Sequence, residues 1–408
     1  LSTPHMETTF EFPSDDGLPG LHDLFNSQWV WRLFCDHFGE PEDPPESIQP
    51  RYINYRPGSR ALVGYVAQWP QGDWVLEEQF AVELSAGKPE RVFRYPEDPH
   101  LPGLQLAASP IEAQQLISKY LDISPHQVRV EVMRYRPGTR AVLRHIISWR
   151  RAKPGKMTLF ARVMPPARIE RLLTTVSLAN LSGFNLPKIA GVWDEGGVVW
   201  MANVSGETVR TAIKKDRAPD TGRILDGLDK LWHAEVEPNA GHPLDVAGGF
   251  KMTDELLSQV LQTDKALELL DQIKARLRPF SMTWRPTHPA HNDFHDDQLL
   301  ITPEDELALV DFEETGPGDP MMDVGNMLAH MRWMSHFNRP QKAFKAYHDR
   351  LRSDSLARFG WDSKELDLRE AYSIFRLVPG PFQGLQKNWA DSAEISLTLA
   401  VKALEGQP

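Results

Sequence analysis

Cysteine is almost missing from this chain: Cys35 stands alone among 408 residues. That excludes an intrachain disulfide framework and fits a reducing compartment. Within its apolar helical pattern Cys35 reads as a core thiol. Long hydrophobic runs are missing too, since nothing approaches the roughly eighteen apolar residues a membrane span needs. The opening Leu1-Ser2-Thr3-Pro4-His5 has neither the basic start nor the apolar stretch of a secretory signal, and we read it as a tag remnant with the natural start at Met6. An excess of positive charge is also lacking. With 45 Lys and Arg against 56 Asp and Glu, the formal charge is −11, which removes the clustered cations that nucleic-acid binding requires. The expectation is a soluble, cytoplasmic protein with neither a nucleic-acid nor a membrane partner, its oligomeric state left open.

What is present begins with a repetition. Tyr55-Arg56-Pro57-Gly58-Ser59-Arg60-Ala61 returns as Tyr135-Arg136-Pro137-Gly138-Thr139-Arg140-Ala141, and Trp69 and Phe80-Ala81 return as Trp149 and Phe160-Ala161, all at an offset of 80. An LPGL segment precedes each copy, at Leu18-Pro19-Gly20-Leu21 and Leu101-Pro102-Gly103-Leu104. One offset held across separate landmarks reads as a tandem duplication. Each copy predicts a helix, a strand, a tight Arg-Pro-Gly turn and two further strands. Leu21, Leu24, Phe25, Trp29, Leu33 and Phe34 share one helical face in the first copy. Ser109-Pro110-Ile111-Glu112 opens the second copy's helix as a capping box. After Phe-Ala the first copy has Val82 and the second has Arg162. A phosphoryl-transfer site needs a cation on that strand, so the second copy is the candidate nucleotide lobe, with Glu170 on the next helix as the partner of Arg162.

Strand patterns near 188–193 and 197–201 end in Met201-Ala202-Asn203, which reads as a hinge whose backbone meets a nucleotide base. Beyond it the periodicity turns helical, over 219–235, 254–278, 322–337, 341–352, 364–377 and 390–404, with strands only near 299–301 and 307–310. Strands first and helices after is an α+β, bilobal arrangement. We divide it into an N-terminal repeat (7–92), a nucleotide-binding N-lobe (93–203) and a helical C-lobe (204–408).

The C-lobe carries the chemistry. His291-Asn292-Asp293 is followed five residues later by Gln298, and Asp311 closes an apolar run thirteen residues after that. A proton-accepting carboxylate, then an amide oxygen and a second carboxylate for magnesium, is the order of a kinase-type phosphoryl-transfer site. Asp293 lies where an acceptor hydroxyl is oriented and deprotonated. Asp311, delivered by Ala308-Leu309-Val310, is placed to hold Mg2+. Asp319-Pro320 reads as an N-cap with proline at the first helical position.

These motifs, with Asp311-Phe312-Glu313 and Gly318-Asp319-Pro320-Met321-Met322-Asp323, resemble the aminoglycoside phosphotransferase and choline kinase-like superfamily. The resemblance implies a protein-kinase-like fold with a mainly β N-lobe and a mainly helical C-lobe, here with a duplicated N-lobe-like extension. It implies an ATP-dependent, Mg2+-assisted phosphotransferase for a small-molecule hydroxyl acceptor. Carried over by position, Asp293 is the catalytic aspartate, His291 braces its loop, Asp323 braces the loop from behind, and Gln298 joins Asp311 at the metal. Gly138 and Thr139 form the short turn over the phosphates. His295, Asp296 and Asp297 lie in the loop that faces the acceptor, and Trp333 on a following helix is a candidate for stacking on a sugar face. Gln298 stands where most of the superfamily has Asn, as in maltokinase-like and glucosamine-kinase-like branches, and Arg162 stands for the usual lysine. The latter two departures motivate a rival reading as a nucleotide-binding pseudokinase. The 311–323 interval leaves no room for the activation loop of a protein kinase.

Overall fold

Local capping chemistry sets most element boundaries in the structure, a computed structural model that describes residues 4–6, 12–149, 155–237 and 240–407. The expected start of the first repeat at 7, and residues 1–3 of the remnant, lie outside them. In chain order the elements are α1 (Ser27–Phe38), β1 (Ser47–Arg56), β2 (Arg60–Gln71), β3 (Trp74–Ser85), β4 (Arg91–Arg94), α2 (Leu104–Ala108) and α3 (Pro110–Tyr120). Next come β5 (Gln127–Arg136), β6 (Arg140–Trp149), β7 (Gly155–Val163), α4 (Ile169–Ala179), β8 (Ile189–Trp193) and β9 (Val198–Ala202). The remainder holds β10 (Glu207–Thr208), α5 (Val209–Lys214), α6 (Thr221–Trp232), α7 (Val246–Val260), α8 (Asp264–Thr283), β11 (His288–Ala290), β12 (Leu299–Ile301), β13 (Leu307–Leu309) and β14 (Gly316–Gly318). It ends with α9 (Pro320–Phe337), α10 (Gln341–Phe359), α11 (Ser363–Leu377), α12 (Gly380–Gln383) and α13 (Trp389–Leu404). The fold is mixed α+β, sheets first and helices after. No helix of the described residues is long and apolar enough to cross a membrane.

The chain forms two compact units. The first comprises Leu1–Ile169, Ile189–Ala202 and Gly380–Trp389; the second comprises Glu170–Lys188, Asn203–Pro379 and Ala390–Pro408. Both sheets expected from the repeats therefore lie in one unit, while α4 beyond its first residue groups with the helices.

In the first unit, β1-β2-β3-β4 form one antiparallel sheet and β5-β6-β7-β9-β8 another. In each, an aspartate ahead of the sheet ties down the hairpin turn. Asp15 Oδ2 accepts from the Tyr55 hydroxyl at 2.7 Å and the Gly58 N–H at 2.8 Å. Asp98 Oδ2 accepts from the Tyr135 hydroxyl at 3.0 Å and the Gly138 N–H at 2.7 Å. The segment 21–34 is not one helix. A 3₁₀ turn over His22–Phe25 ends at Asn26, whose side chain caps the N–H groups of Gln28 and Trp29 and starts α1 afresh. The break rotates the face, so Val30 and Trp31 are buried while Trp29 and Cys35 are only half-buried. Cys35 is thus not a core thiol. The Ser109 cap is present, accepting from the Glu112 N–H, with Pro110 at the first position.

In the second unit, α9 packs against both α10 and α11. The expected helix over 254–278 is two helices, because the Thr263 side chain caps the Ala266 N–H and begins α8 separately. Strands are also less confined than the sequence suggests. His288–Ala290 pairs with Gly316–Gly318, so the Gly-Pro-Gly segment is an edge of backbone pairing before α9. Neither segment alternates apolar and polar side chains, which hides both from a periodicity reading.

Candidate active site

Strand β11 delivers the chain into a loop whose backbone is fixed by a helix. Asp319 caps α9 through the Met321 N–H at 2.9 Å, with Pro320 at the first position. Asp319 also accepts from Trp284 Nε1 at 3.2 Å and pairs with Arg369 at 2.8 Å. This seats Asp323, in the first turn of α9, directly behind the loop. Its carboxylate accepts from the backbone N–H of His291 at 2.9 Å, that of Asn292 at 2.7 Å, and Trp232 Nε1 at 2.9 Å. Burial pushes the Asp323 carboxyl upward, against the pull of His291 and these three donors. Asn292 is in the left-handed region at φ 67°, a conformation asparagine tolerates better than most residues. Its Nδ2 donates to the Glu314 carbonyl at 2.9 Å. Gly318 must be glycine, since a Cβ there would sit 2.0 Å from Asn292 Oδ1.

His291 links the two carboxylate-bearing segments through its ring. Nε2 lies 2.5 Å from the Asp311 carbonyl and Nδ1 accepts the Asp293 N–H at 3.3 Å. The tautomer that satisfies both has the proton on Nε2. Gln298 adds a second link, its backbone carbonyl accepting the Val310 N–H at 3.0 Å and its Nε2 donating to Asp293 Oδ2 at 3.1 Å. Gln298 Oε1 is buried and, among the described residues, has no hydrogen-bond partner. Asp293 Oδ1 has none among the described residues, and Asp293 itself is half-buried. One pair of side chains therefore presents two unused oxygens, one carboxylate and one amide.

The residues expected to face an acceptor separate into two kinds. Asp296 is fully buried, and both its oxygens accept from Arg210 of α5, at 2.9 and 3.0 Å. Arg210 also reaches Asp297, which is exposed, at 3.1 Å. His295 stacks on His330 of α9 with ring centroids 4.1 Å apart. Burial depresses the imidazole of His295 and pushes that of His330 well below its ordinary range. His295, Asp296 and His330 bring ligand atoms within 4.8 Å of one another. With Arg210 already on both Asp296 oxygens, the cluster is an ion-paired scaffold rather than a cation pocket. Trp333 is half-buried, stacks on Phe337 at 4.5 Å and donates to Ser396 Oγ at 3.2 Å. Arg210 and His330 had no motif to reveal them; His330 lies in a helix that reads as an ordinary amphipathic segment, and Arg210 in the short α5, which the periodicity does not predict.

In the first unit Gly138 sits at φ 67° in the turn joining β5 and β6, and Thr139 follows it with its N–H on the Arg136 carbonyl at 3.0 Å. Arg162 is half-buried on β7, paired between Val142 and Val199. The sequence comparison with Val82 is off by one residue. Glu83 pairs with Leu62 as Arg162 pairs with Val142, so Glu83 occupies the equivalent position. The third strand of the second sheet is offset by 79 rather than 80, a shift visible only in the pairing. Met201 is buried in β9, while Asn203 is exposed and begins the second unit's next segment; the unit boundary falls between Ala202 and Asn203. Glu170 is exposed near the start of α4.

A search of curated proteins by sequence found no match. Among solved structures, aminoglycoside phosphotransferase APH(4)-Ia is similar at TM-score 0.51 and 14% identity, covering 71% of this chain and 97% of that one. A thermostable mutant of it in ternary complex with AMP-PNP and hygromycin B is similar at TM-score 0.51 and 14% identity, covering 72% and 99%. A choline/ethanolamine kinase family protein from Mesorhizobium loti reaches 0.48 and 16% identity, covering 74% and 93%. At such identities the likeness to APH(4)-Ia is one of fold. The sequence itself matches the phosphotransferase enzyme family APH over residues 118–363, from α3 to the start of α11. That stretch is more than half of the chain and contains the whole loop described above; the chain belongs to the phosphotransferase enzyme family and is a small-molecule phosphotransferase.

Proposed function

We propose that the chain is an ATP-dependent, magnesium-assisted kinase that moves the terminal phosphate of ATP to a hydroxyl of a sugar, amino sugar or aminoglycoside-like alcohol. The observation that carries this reading is the Asp293–Gln298 pair, held at 3.1 Å with one oxygen of each left unused. Asp293 Oδ2 is fixed by Gln298, so Oδ1 receives the hydrogen bond of the acceptor hydroxyl. As the hydroxyl oxygen bonds to phosphorus and the bond to the bridging oxygen breaks, the proton passes to Oδ1. Gln298 Oε1 and the Asp311 carboxylate are the groups that would hold magnesium; a buried amide oxygen without a donor suits a hard cation. When bound, that ion offsets the negative charge of the phosphates.

Under the same proposal Arg162 and the turn at Gly138 and Thr139 hold the phosphates, Glu170 supports Arg162, and Met201 and Asn203 flank the base. The division into 7–92, 93–203 and 204–408 belongs to it as well. His291, Asp319 and Asp323 shape the loop. His295, Asp297 and Trp333 face the acceptor, and Asp296 acts through Arg210 rather than by contact. Replacing Asp293 by Ala should lower transfer by at least about a hundredfold while nucleotide binding stays intact. The check is ATP consumption across sugars, amino sugars and aminoglycosides, paired with calorimetric binding of Mg-AMP-PNP. Retained turnover in Asp293→Ala would remove the assignment. Nucleotide binding without single-turnover transfer to any acceptor would leave a pseudokinase.

A further inference from the structure

The first sheet has a face that the proposed chemistry does not use, and the second hairpin lies on it. Where the second sheet has Arg162, the first has Glu83, which is 5% exposed. Glu83 is ion-paired to Arg60, with His100 at 3.4 Å and Arg91 at 3.5 Å. Burial raises its carboxyl, but Arg60 and His100 outweigh that and hold it below the ordinary range. Beside Glu83 on β2 are Leu62 and Gly64. A Cβ on Gly64 would lie 3.2 Å from Pro137 Cγ, and a Cβ on Gly138 would lie 3.1 Å from Leu62 Cδ1 and 3.3 Å from His100 Cδ2. The Arg136 guanidinium sits 5.8 Å from the centroid of the Tyr52 ring. The first hairpin's own Gly58 is closed over by Gly17, where a Cβ would come within 2.5 Å of the Gly58 carbonyl oxygen.

A phosphate chain has no place on this face. The cation is exchanged for a buried anion, and the space is taken by Pro137 and His100. What the face does provide is contact along one side of the 136–139 turn. A free glycine-containing turn loses conformational entropy when it closes over a ligand, and a turn already held in place loses less.

We infer that the first repeat is a clamp on the 136–139 turn, with Gly64, Glu83 and Tyr52 as positioning residues for nucleotide capture, and that it binds no nucleotide of its own. This rests on reading that turn as the phosphate-covering element. The test uses the full chain and Mg-AMP-PNP, measured by isothermal titration calorimetry beside the melting temperature of the ligand-free protein. Gly64→Val, which pushes Pro137 away, and Glu83→Gln, which keeps shape but frees Arg60, should each weaken binding by about tenfold with one nucleotide per chain. Glu83→Gln breaks a buried ion pair and Gly64→Val crowds Pro137, so both should lower the ligand-free melting temperature, and affinities are compared at a temperature where each variant is folded. Gly64→Ala, whose added methyl asks for only a small displacement, should restore most of the affinity. Arg162→Ala is the control for the underlying reading. If Arg162→Ala leaves binding untouched, the nucleotide assignment has failed. If Arg162→Ala abolishes binding while Glu83→Gln and Gly64→Val bind as the parent does, the clamp is wrong. Two nucleotides per chain would also overturn it, and if Gly64→Val does not fold, Glu83→Gln decides alone.

Discussion

Three N–H groups converge on Asp323, and one carboxylate satisfies all of them. Asparagine there has a single acceptor oxygen and adds two donors to a site already full of them. Asp323→Asn should therefore cost about 1–3 kcal/mol in urea unfolding, the usual penalty for stranding buried donors, and should lower transfer by loosening the loop. Gln298→Ala separates two roles in one residue. Its Oε1 has no partner among the described residues to lose and its Nε2 gives up one bond, to half-buried Asp293, so the ligand-free protein should lose only about 1 kcal/mol, while the magnesium concentration for half-maximal transfer rises severalfold. A magnesium titration of the two proteins checks this; an unchanged midpoint would take Gln298 out of the metal site. At this scale the order of Asp293, Gln298, Asp311 and Asp323 along the sequence was enough to suggest their roles. Arg210 was not legible, because it meets Asp296 across 86 residues and neither partner advertises the other.

Helix starts with strong local signals and the strands near 188–193, 197–201, 299–301 and 307–310 matched their expected positions, whereas the pairing of His288–Ala290 with Gly316–Gly318 and the strand register did not. Ser109 and Asp319 each combine a capping side chain with a following proline, so the starts of α3 and α9 could be placed to the residue. Asn26 and Thr263 are capping residues inside apolar patterns that continue on both sides, and the helices there divide without a break in the pattern. The Glu83 correction has a related cause: strand register is set by cross-strand pairing, which a sequence offset does not record. Among the helices, α9, α10 and α11 are joined by a buried node in which Glu370 accepts from Arg332 at 2.5 Å and lies 2.9 Å from His348. Removing the carboxylate strands Arg332, so Glu370→Gln should cost about 3–5 kcal/mol, more than Asp323→Asn. Denaturant unfolding followed by far-UV circular dichroism measures the difference; a cost below that of an exposed ion pair would show that the node contributes little.

Histidines held low by burial make both compact units acid-sensitive, and in the first unit one of them can be tested alone. In the first unit His145 is fully buried, Nε2 facing the Ala107 carbonyl at 2.9 Å and Nδ1 accepting from Trp200 Nε1 at 3.1 Å. The neutral ring satisfies both bonds, and burial pushes its pKa down to about 4 despite the Ala107 carbonyl. The unfolded chain binds this proton first, near its ordinary value of 6.5, so the stabilisation is complete above that pH and is lost as pH falls toward about 4. Its size is roughly 3 kcal/mol at about 1.4 kcal/mol per unit of pKa. In the second unit burial pushes Glu370 up, but His348 and Arg332 prevail and hold it down to about 2. Its stabilisation is present above 4.5 and is lost only as pH falls from there toward about 2. Acidification should thus weaken the sheets around His145 before Glu370 gives way, while His330 of α9, whose imidazole burial likewise holds low, makes that helix sensitive over the same range as the sheets. Hydrogen exchange read by mass spectrometry at pH 7 and pH 5, corrected for intrinsic exchange rates, should show loss of protection in β6 and β9. In His145→Gln the pH 5 loss in β6 and β9 should largely disappear relative to that variant's own pH 7 value, because no group titrates there. A pH 5 loss of the same size in His145→Gln would mean that this histidine is not the cause.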